Sequence, residues 1–145
     1  MIAEPPIEED AERNTDLMVL RLDAVRIGCR VRKYKYLRQY GSEFTIRAGR
    51  PSGVKTELTK IIEGWGDYFF YGFSDPTEAF LTKWALADLK HFRVWYMRQL
   101  ATASPGQLPG IQQSNHDRSS NFAAFRWEEF PAEFVKAASW IEEAA

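Results

Sequence analysis

Apolar and basic residues alternate along Val25-Arg26-Ile27-Gly28-Cys29-Arg30-Val31-Arg32, a period of two that marks a β-strand. Val25, Ile27, Cys29 and Val31 share one face of that strand, and Arg26, Arg30 and Arg32 share the other. The expectation is a buried apolar face and a solvated basic one. At Arg32-Lys33 the phase flips, because Lys33 and Lys35 take odd positions while Tyr34 and Tyr36 take even ones. A one-residue bulge there would carry the strand on to Tyr36 and keep its bases on the solvated side. A second β-like run, Leu17 to Leu22, precedes it across a turn at Asp23-Ala24. A third, Glu43 to Arg47, follows a turn at Tyr40-Gly41-Ser42, with Phe44 and Ile46 inward. These three strands are expected to form a meander.

Helical spacing then takes over. Val54, Leu58, Ile61, Ile62 and Trp65 recur at that spacing, and Gly64 and Gly66 end the segment. Tyr68 to Phe73 is aromatic and glycine throughout, which suits a central strand buried on both faces. Asp75-Pro76 turns the chain, Phe80 to Leu86 reads as a further strand, and Asp88 is placed to cap a helix reaching about Leu100. Residues 101–121 are polar and turn-rich, a short strand is expected near Phe122–Trp127, and Pro131 is placed to start a C-terminal helix. The pattern predicts an α+β (mixed α/β) fold with helices packed on a central sheet. The domain organisation expected is a disordered lead over 1–7, helical turns from Glu8 to Arg13, and a single domain over 8–145. Its core spans 8–100, with an extension over 101–145.

Composition narrows the chemistry. A chain of 145 residues with 45% apolar residues suits one domain with its own core. One cysteine, Cys29, excludes an internal disulfide, and two histidines, His91 and His116, exclude a His-rich metal site. Neither histidine is accompanied by a recognisable serine or cysteine nucleophile motif. No apolar run approaches the roughly 20 residues of a membrane span, and the acidic, proline-containing start is unlike a secretory signal. A cytoplasmic protein is the expectation.

Charge is strongly segregated. Residues 21–60 hold eleven Lys/Arg against three acids, a local +8, flanked by −5 before and −4 after. Segregation of this kind points to a polyanionic partner. Arg26, Arg30, Arg32, Lys33, Arg47, Arg50 and Lys55 are the candidate phosphate contacts, with Tyr34 and Tyr36 as candidate aromatic contacts. Gly49-Arg50-Pro51-Ser52-Gly53-Val54-Lys55-Thr56 invites comparison with a nucleotide P-loop. It has three residues rather than four between its glycines, and Val54 separates Gly53 from Lys55, so an NTPase is rejected. A phosphate-binding turn and an ordinary turn both stay open. Glu12 and Asp16 near the start of the first strand, and Glu57 entering the helix, are the candidate carboxylates beside the basic block. Acids beside a cationic face could hold a Mg²⁺ ion that activates water against a phosphodiester.

The order helix, three-stranded meander, helix, strand over residues 8–73 resembles the core of the PD-(D/E)XK, or restriction-endonuclease-like, nucleases. The resemblance implies Asp16, Glu12 and Glu57 as catalytic residues, with Asp16 and Glu57 as ligands of Mg²⁺. Gly28-Cys29-Arg30 or Arg30-Val31-Arg32 stands where that family carries acid-x-lysine; neither has an acid, and arginine replaces lysine. The function expected is a nucleic-acid-binding domain of nuclease-like fold, with metal-dependent cleavage as an extension. The rival is a non-catalytic protein-interaction or regulatory module whose basic face meets an acidic partner or a second copy of the chain. An enzyme acting on a small anionic metabolite comes third.

Overall fold

The computed structural model describes Ile2–Ala3, Met18–Val19, residues 24–49 and residues 52–141. Ile2–Ala3 (β1) and Met18–Val19 (β2) form an antiparallel pair. The chain continues through β3 (Ile27–Arg32), a 3-10 turn at Tyr34–Tyr36, α1 (Leu37–Tyr40), β4 (Glu43–Gly49), α2 (Glu57–Ile62) and β5 (Tyr68–Ser74). It then forms β6 (Leu81–Asp88), α3 (Leu89–Thr102), β7 (Ile111–Ser114), β8 (Asn121–Arg126) and β9 (Val135–Ala138). Among the described residues no helix is long and apolar enough to cross a membrane.

The longer strands form two sheets, of order β3-β5-β6-β9 and β4-β8-β7. Among the described strands only the β3–β5 pair is parallel, and the chain between them passes through β4 in the other sheet. The architecture is therefore α+β with two sheets and few helices. The expected meander does not form: β3 pairs with β5, and β4 pairs antiparallel with β8. The reason lies in residues 33–42. They do not continue the strand through a bulge; β3 ends at Arg32, and the chain turns through the Tyr34–Tyr36 3-10 turn and α1. The phase flip at Arg32-Lys33 marks an end of strand, and Tyr36 and Tyr40 then fall one helical turn apart.

Aromatic side chains between the sheets make the core. From β5, Phe69, Tyr71 and Phe73 point inward and are at most 2% exposed; Phe44 and Ile46 of β4 are likewise buried. Phe44 lies at the centre, its ring 4.5 Å from Trp127, 5.5 Å from Phe125 and Phe130, and 6.2–6.4 Å from Phe69, Tyr71 and Phe92. α3 supplies Leu89, Phe92 and Tyr96 to this cluster at helical spacing. Asp88 starts that helix as expected, its side chain accepting the Lys90 N–H at 2.8 Å. The central, mostly buried strand at 68–74 and the inward Phe44 and Ile46 also follow the sequence pattern.

Two further expectations are corrected. Pro131 starts only a 3-10 turn, Ala132–Phe134, whose Phe134 drops into the core before β9 joins the sheet beside β6. Burying that ring and pairing the backbone with β6 outweigh the local helix signal. More consequential is the face of β3. Its register with β5 sets Gly28, Arg30 and Arg32 beside Phe69, Tyr71 and Phe73 on the inner side. Ile27, Cys29 and Val31 lie on the outer side, with Ile27 53% and Val31 48% exposed. The alternation is real but its polarity is reversed. Arginine stems extend over the edge of the aromatic core while their heads reach polar and aromatic partners beyond it. Arg32, for example, holds its guanidinium 4.6 Å and 4.9 Å from the Tyr36 and Tyr40 ring centres.

The β5–β6 hairpin is fixed by Asp75, whose carboxylate accepts from the Thr77 hydroxyl and from the backbone N–H groups of Thr77, Ala79 and Phe80. These bonds, the Thr77 hydroxyl foremost, hold its pKa down at about 2.

Two measurements check this fold. The single thiol, Cys29, is expected to react with a thiol reagent in the native protein nearly as fast as in denaturant. Strong native protection would return the apolar face of β3 to the interior. Asp75 is expected to titrate near 2 by NMR of its carboxyl carbon. Its stabilising contribution is then complete above the ordinary aspartate value of about 3.9 and lost as pH falls through about 2. A midpoint near the ordinary value would mean that the hairpin bonds do not persist in solution.

Candidate functional site

Where the edge strands of the two sheets approach, β3 and β4 are not hydrogen-bonded to each other. Arg30 spans the gap. One of its guanidinium nitrogens donates to the Thr45 carbonyl at 3.3 Å, and the other to Glu57 Oε2 at 2.7 Å. The same Glu57 oxygen accepts the Arg47 backbone N–H at 3.0 Å, so one carboxylate on the first turn of α2 ties β3, β4 and α2 together. Thr45 continues the network inward, its hydroxyl 3.3 Å from the buried Tyr71 hydroxyl.

Beside this junction opens a cleft of about 400 Å³. Its polar walls are Arg30 from β3, Arg47 from β4, and Lys55, Thr56, Glu57 and Lys60 from α2 and its approach; Phe69 and Leu89 are at its apolar end, with Trp65 exposed at its rim. Gly28 helps keep the cleft open, because a Cβ at that position would stand 3.3 Å from the Phe69 ring. The far wall is fixed by Arg93 of α3. Its guanidinium donates to the carbonyls of Ile61 at 2.6 Å, Trp65 at 3.1 Å and Gly66 at 2.6 Å, tying the end of α2 and the turn after it to α3. Gly66 turns the chain there with φ +81°, and a Cβ on it would meet Leu89 at 3.0 Å.

The structure sorts the expected contacts. Arg30, Arg47 and Lys55 come together in the cleft. Arg26 stands nearby, its backbone N–H held by Asp67 and its guanidinium 5.7 Å from the Trp65 ring centre. Arg32 and Lys33 do not join them: Arg32 stacks on Tyr36 and Tyr40, and Lys33 pairs at 3.1 Å with Glu78 of the β5–β6 hairpin. Arg50, Glu12 and Asp16 lie outside the described residues. Glu57 stands three residues before Lys60, a spacing that suits an ion pair on a helix, but it pairs with Arg30 across the sheets. Lys60 and Trp65 were missed as site residues. Helical spacing accounted for Trp65 as part of an amphipathic helix, yet α2 ends at Ile62 and leaves Trp65 60% exposed.

Four cations thus face one lining carboxylate, and that carboxylate is already occupied by Arg30. Lys55 also bonds both oxygens of Glu63 at 2.9 Å, an exposed pair of small net worth that another anion can replace. A divalent metal fits poorly. Glu57 Oε2 takes two donors, a cation there would face the Arg30 guanidinium, and among the described residues no three His, Cys, Asp or Glu side chains cluster.

No protein-family model, curated protein or solved structure matches this chain.

The Arg30–Glu57 junction carries its own prediction. Glu57→Gln keeps the side-chain shape but removes the charge that holds Arg30. With both side chains a little over a quarter exposed, the expected loss is about 1–2 kcal/mol. It should appear as a lower urea midpoint at unchanged slope. An unchanged midpoint would make the pair a surface contact that joins nothing.

Proposed function

We propose that this chain binds nucleic acid through its phosphates, using the cleft between β3, β4 and α2. The observation that carries this is the convergence of Arg30, Arg47, Lys55 and Lys60 on one concave site where, among the described residues, the one lining carboxylate is paired internally with Arg30. Phosphates satisfy such a set because each contact releases condensed counterions from the nucleic acid, and arginine heads match phosphate geometry. Arg30 is held by Glu57, so Arg47, Lys60 and a Lys55 released from Glu63 make the contacts, while Arg26 extends the cationic rim.

The finer version of this reading is a restriction-endonuclease-like phosphodiesterase that uses Mg²⁺. It would need Glu12 and Asp16 beside Glu57, and Glu57 is committed to Arg30 and the Arg47 N–H. Binding without cleavage is therefore the proposal, and retention is expected to survive removal of divalent metals with EDTA. Strand scission that requires Mg²⁺ or Mn²⁺ and disappears in Asp16→Ala would reinstate the enzyme.

Salt titration of oligonucleotide binding tests the proposal. Log affinity should fall linearly with log salt, and neutralising Arg47 and Lys60 together should reduce the slope by about 1.4–1.8, roughly 0.7–0.9 per phosphate contact. A slope that is the same in the double variant moves the contacts elsewhere. An acidic protein partner would draw on the same cations, and retention of an acidic peptide without any oligonucleotide would favour it.

A further inference from the structure

Resting on that phosphate-binding assignment, we infer that Trp65 is a base-stacking platform and that the cleft selects single-stranded nucleic acid. Trp65 is among the most exposed large apolar side chains of the described residues, at 60%, and it stands at the rim of the cationic cleft. A tryptophan ring normally gains more by burial than any other side chain, so its placement beside clustered cations calls for a flat partner. Its backbone is held on both sides. The Trp65 N–H donates to the Lys60 carbonyl at 3.0 Å, and Arg93 binds the carbonyls of Trp65 and Gly66. The indole therefore projects from a fixed turn rather than from a loose loop, which lowers the entropy lost when a ligand stacks on it. The Arg26 guanidinium, paired at 3.8 Å with Asp67, lies over one face of the ring 5.7 Å from its centre, so a base stacks on the other face.

Cations that follow a backbone beside an exposed aromatic ring are the combination by which proteins hold single strands: the charges take phosphates and the ring takes a base of any sequence. A duplex buries the faces of its bases within its own stack, so it can reach the cations but not the indole. The preference for single strands comes from Trp65, and the affinity shared by every strand comes from Arg47, Lys55 and Lys60. Bases are distinguished by their stacking strength on the indole.

The test compares three probes at one low salt concentration: an oligodeoxythymidylate of about ten nucleotides, an abasic strand of the same phosphate number, and a matched duplex. Wild-type protein should bind the thymidylate strand best. Trp65→Leu should weaken that binding roughly ten- to hundredfold, leave the abasic strand and duplex unchanged, and Trp65→Phe should recover most of the loss. Because Trp65 is exposed, these variants are expected to unfold at the wild-type urea midpoint. Equal affinity for thymidylate and abasic strands, or an equal loss for both in Trp65→Leu, would overturn base stacking while leaving phosphate binding intact. No binding of any probe would overturn both.

Discussion

Among the described residues the two larger sheets share no backbone hydrogen bonds, and one aromatic cluster fed by β4, β5, β8 and α3 holds them together. Phe44 reaches it from β4, Phe69 and Tyr71 from β5, Phe92 from α3, Phe125 from β8, and Phe130 and Phe134 from the segment leading into β9. Aromatic pairs at these separations add about 0.5–1.5 kcal/mol each beyond the area they bury, and their edge-to-face preferences restrict how the sheets can slide. Strand β9 illustrates the dependence. Its pairing with β6 is short and interrupted, and Phe134, 1% exposed, anchors its start.

Packing by aromatic rings leaves a problem at the margin. The cluster fills the middle of the sandwich, but β3 and β4 are sheet edges with polar backbone facing each other and no ladder between them. Arg30 and Glu57 resolve this with side chains in place of strands. The pair is partly wet, so its net energy is modest, yet it specifies how far apart the two edges stand and where α2 begins. The cleft is a consequence of that spacing.

The chemistry of the site also depends on which charges are internally satisfied. Charge counted along residues 21–60 suggests one broad basic face, but the fold disperses it. Arg32 is spent on tyrosine rings, Lys33 on Glu78 and Arg30 on Glu57. What the cleft offers a ligand is a smaller set on a concave surface, where low-dielectric walls make each remaining charge more effective than it would be on an open face.

By itself the sequence determined local structure and periodicity. The capped helix at Asp88, the inward Phe44 and Ile46, the buried aromatic strand at 68–74 and the two-residue alternation of 25–32 all follow from chemistry that neighbouring residues carry. It also marked the basic block from which Arg30, Arg47 and Lys55 come. Only tertiary structure decided which side of β3 faces inward, that β4 leaves for the second sheet, and that Glu57 meets Arg30 rather than Lys60. Alternation states which residues share a face but is silent on which face is covered, because that depends on elements far away in the chain. Here an edge strand beside a wet cleft gives arginine stems the inner position and leaves valine and isoleucine outside. Trp65 stayed hidden for the same reason. Helical spacing accounts for it as a packed residue, and only the early end of α2 and the Arg93 bonds to the Trp65 and Gly66 carbonyls, from a helix some thirty residues later, leave it exposed at the cleft.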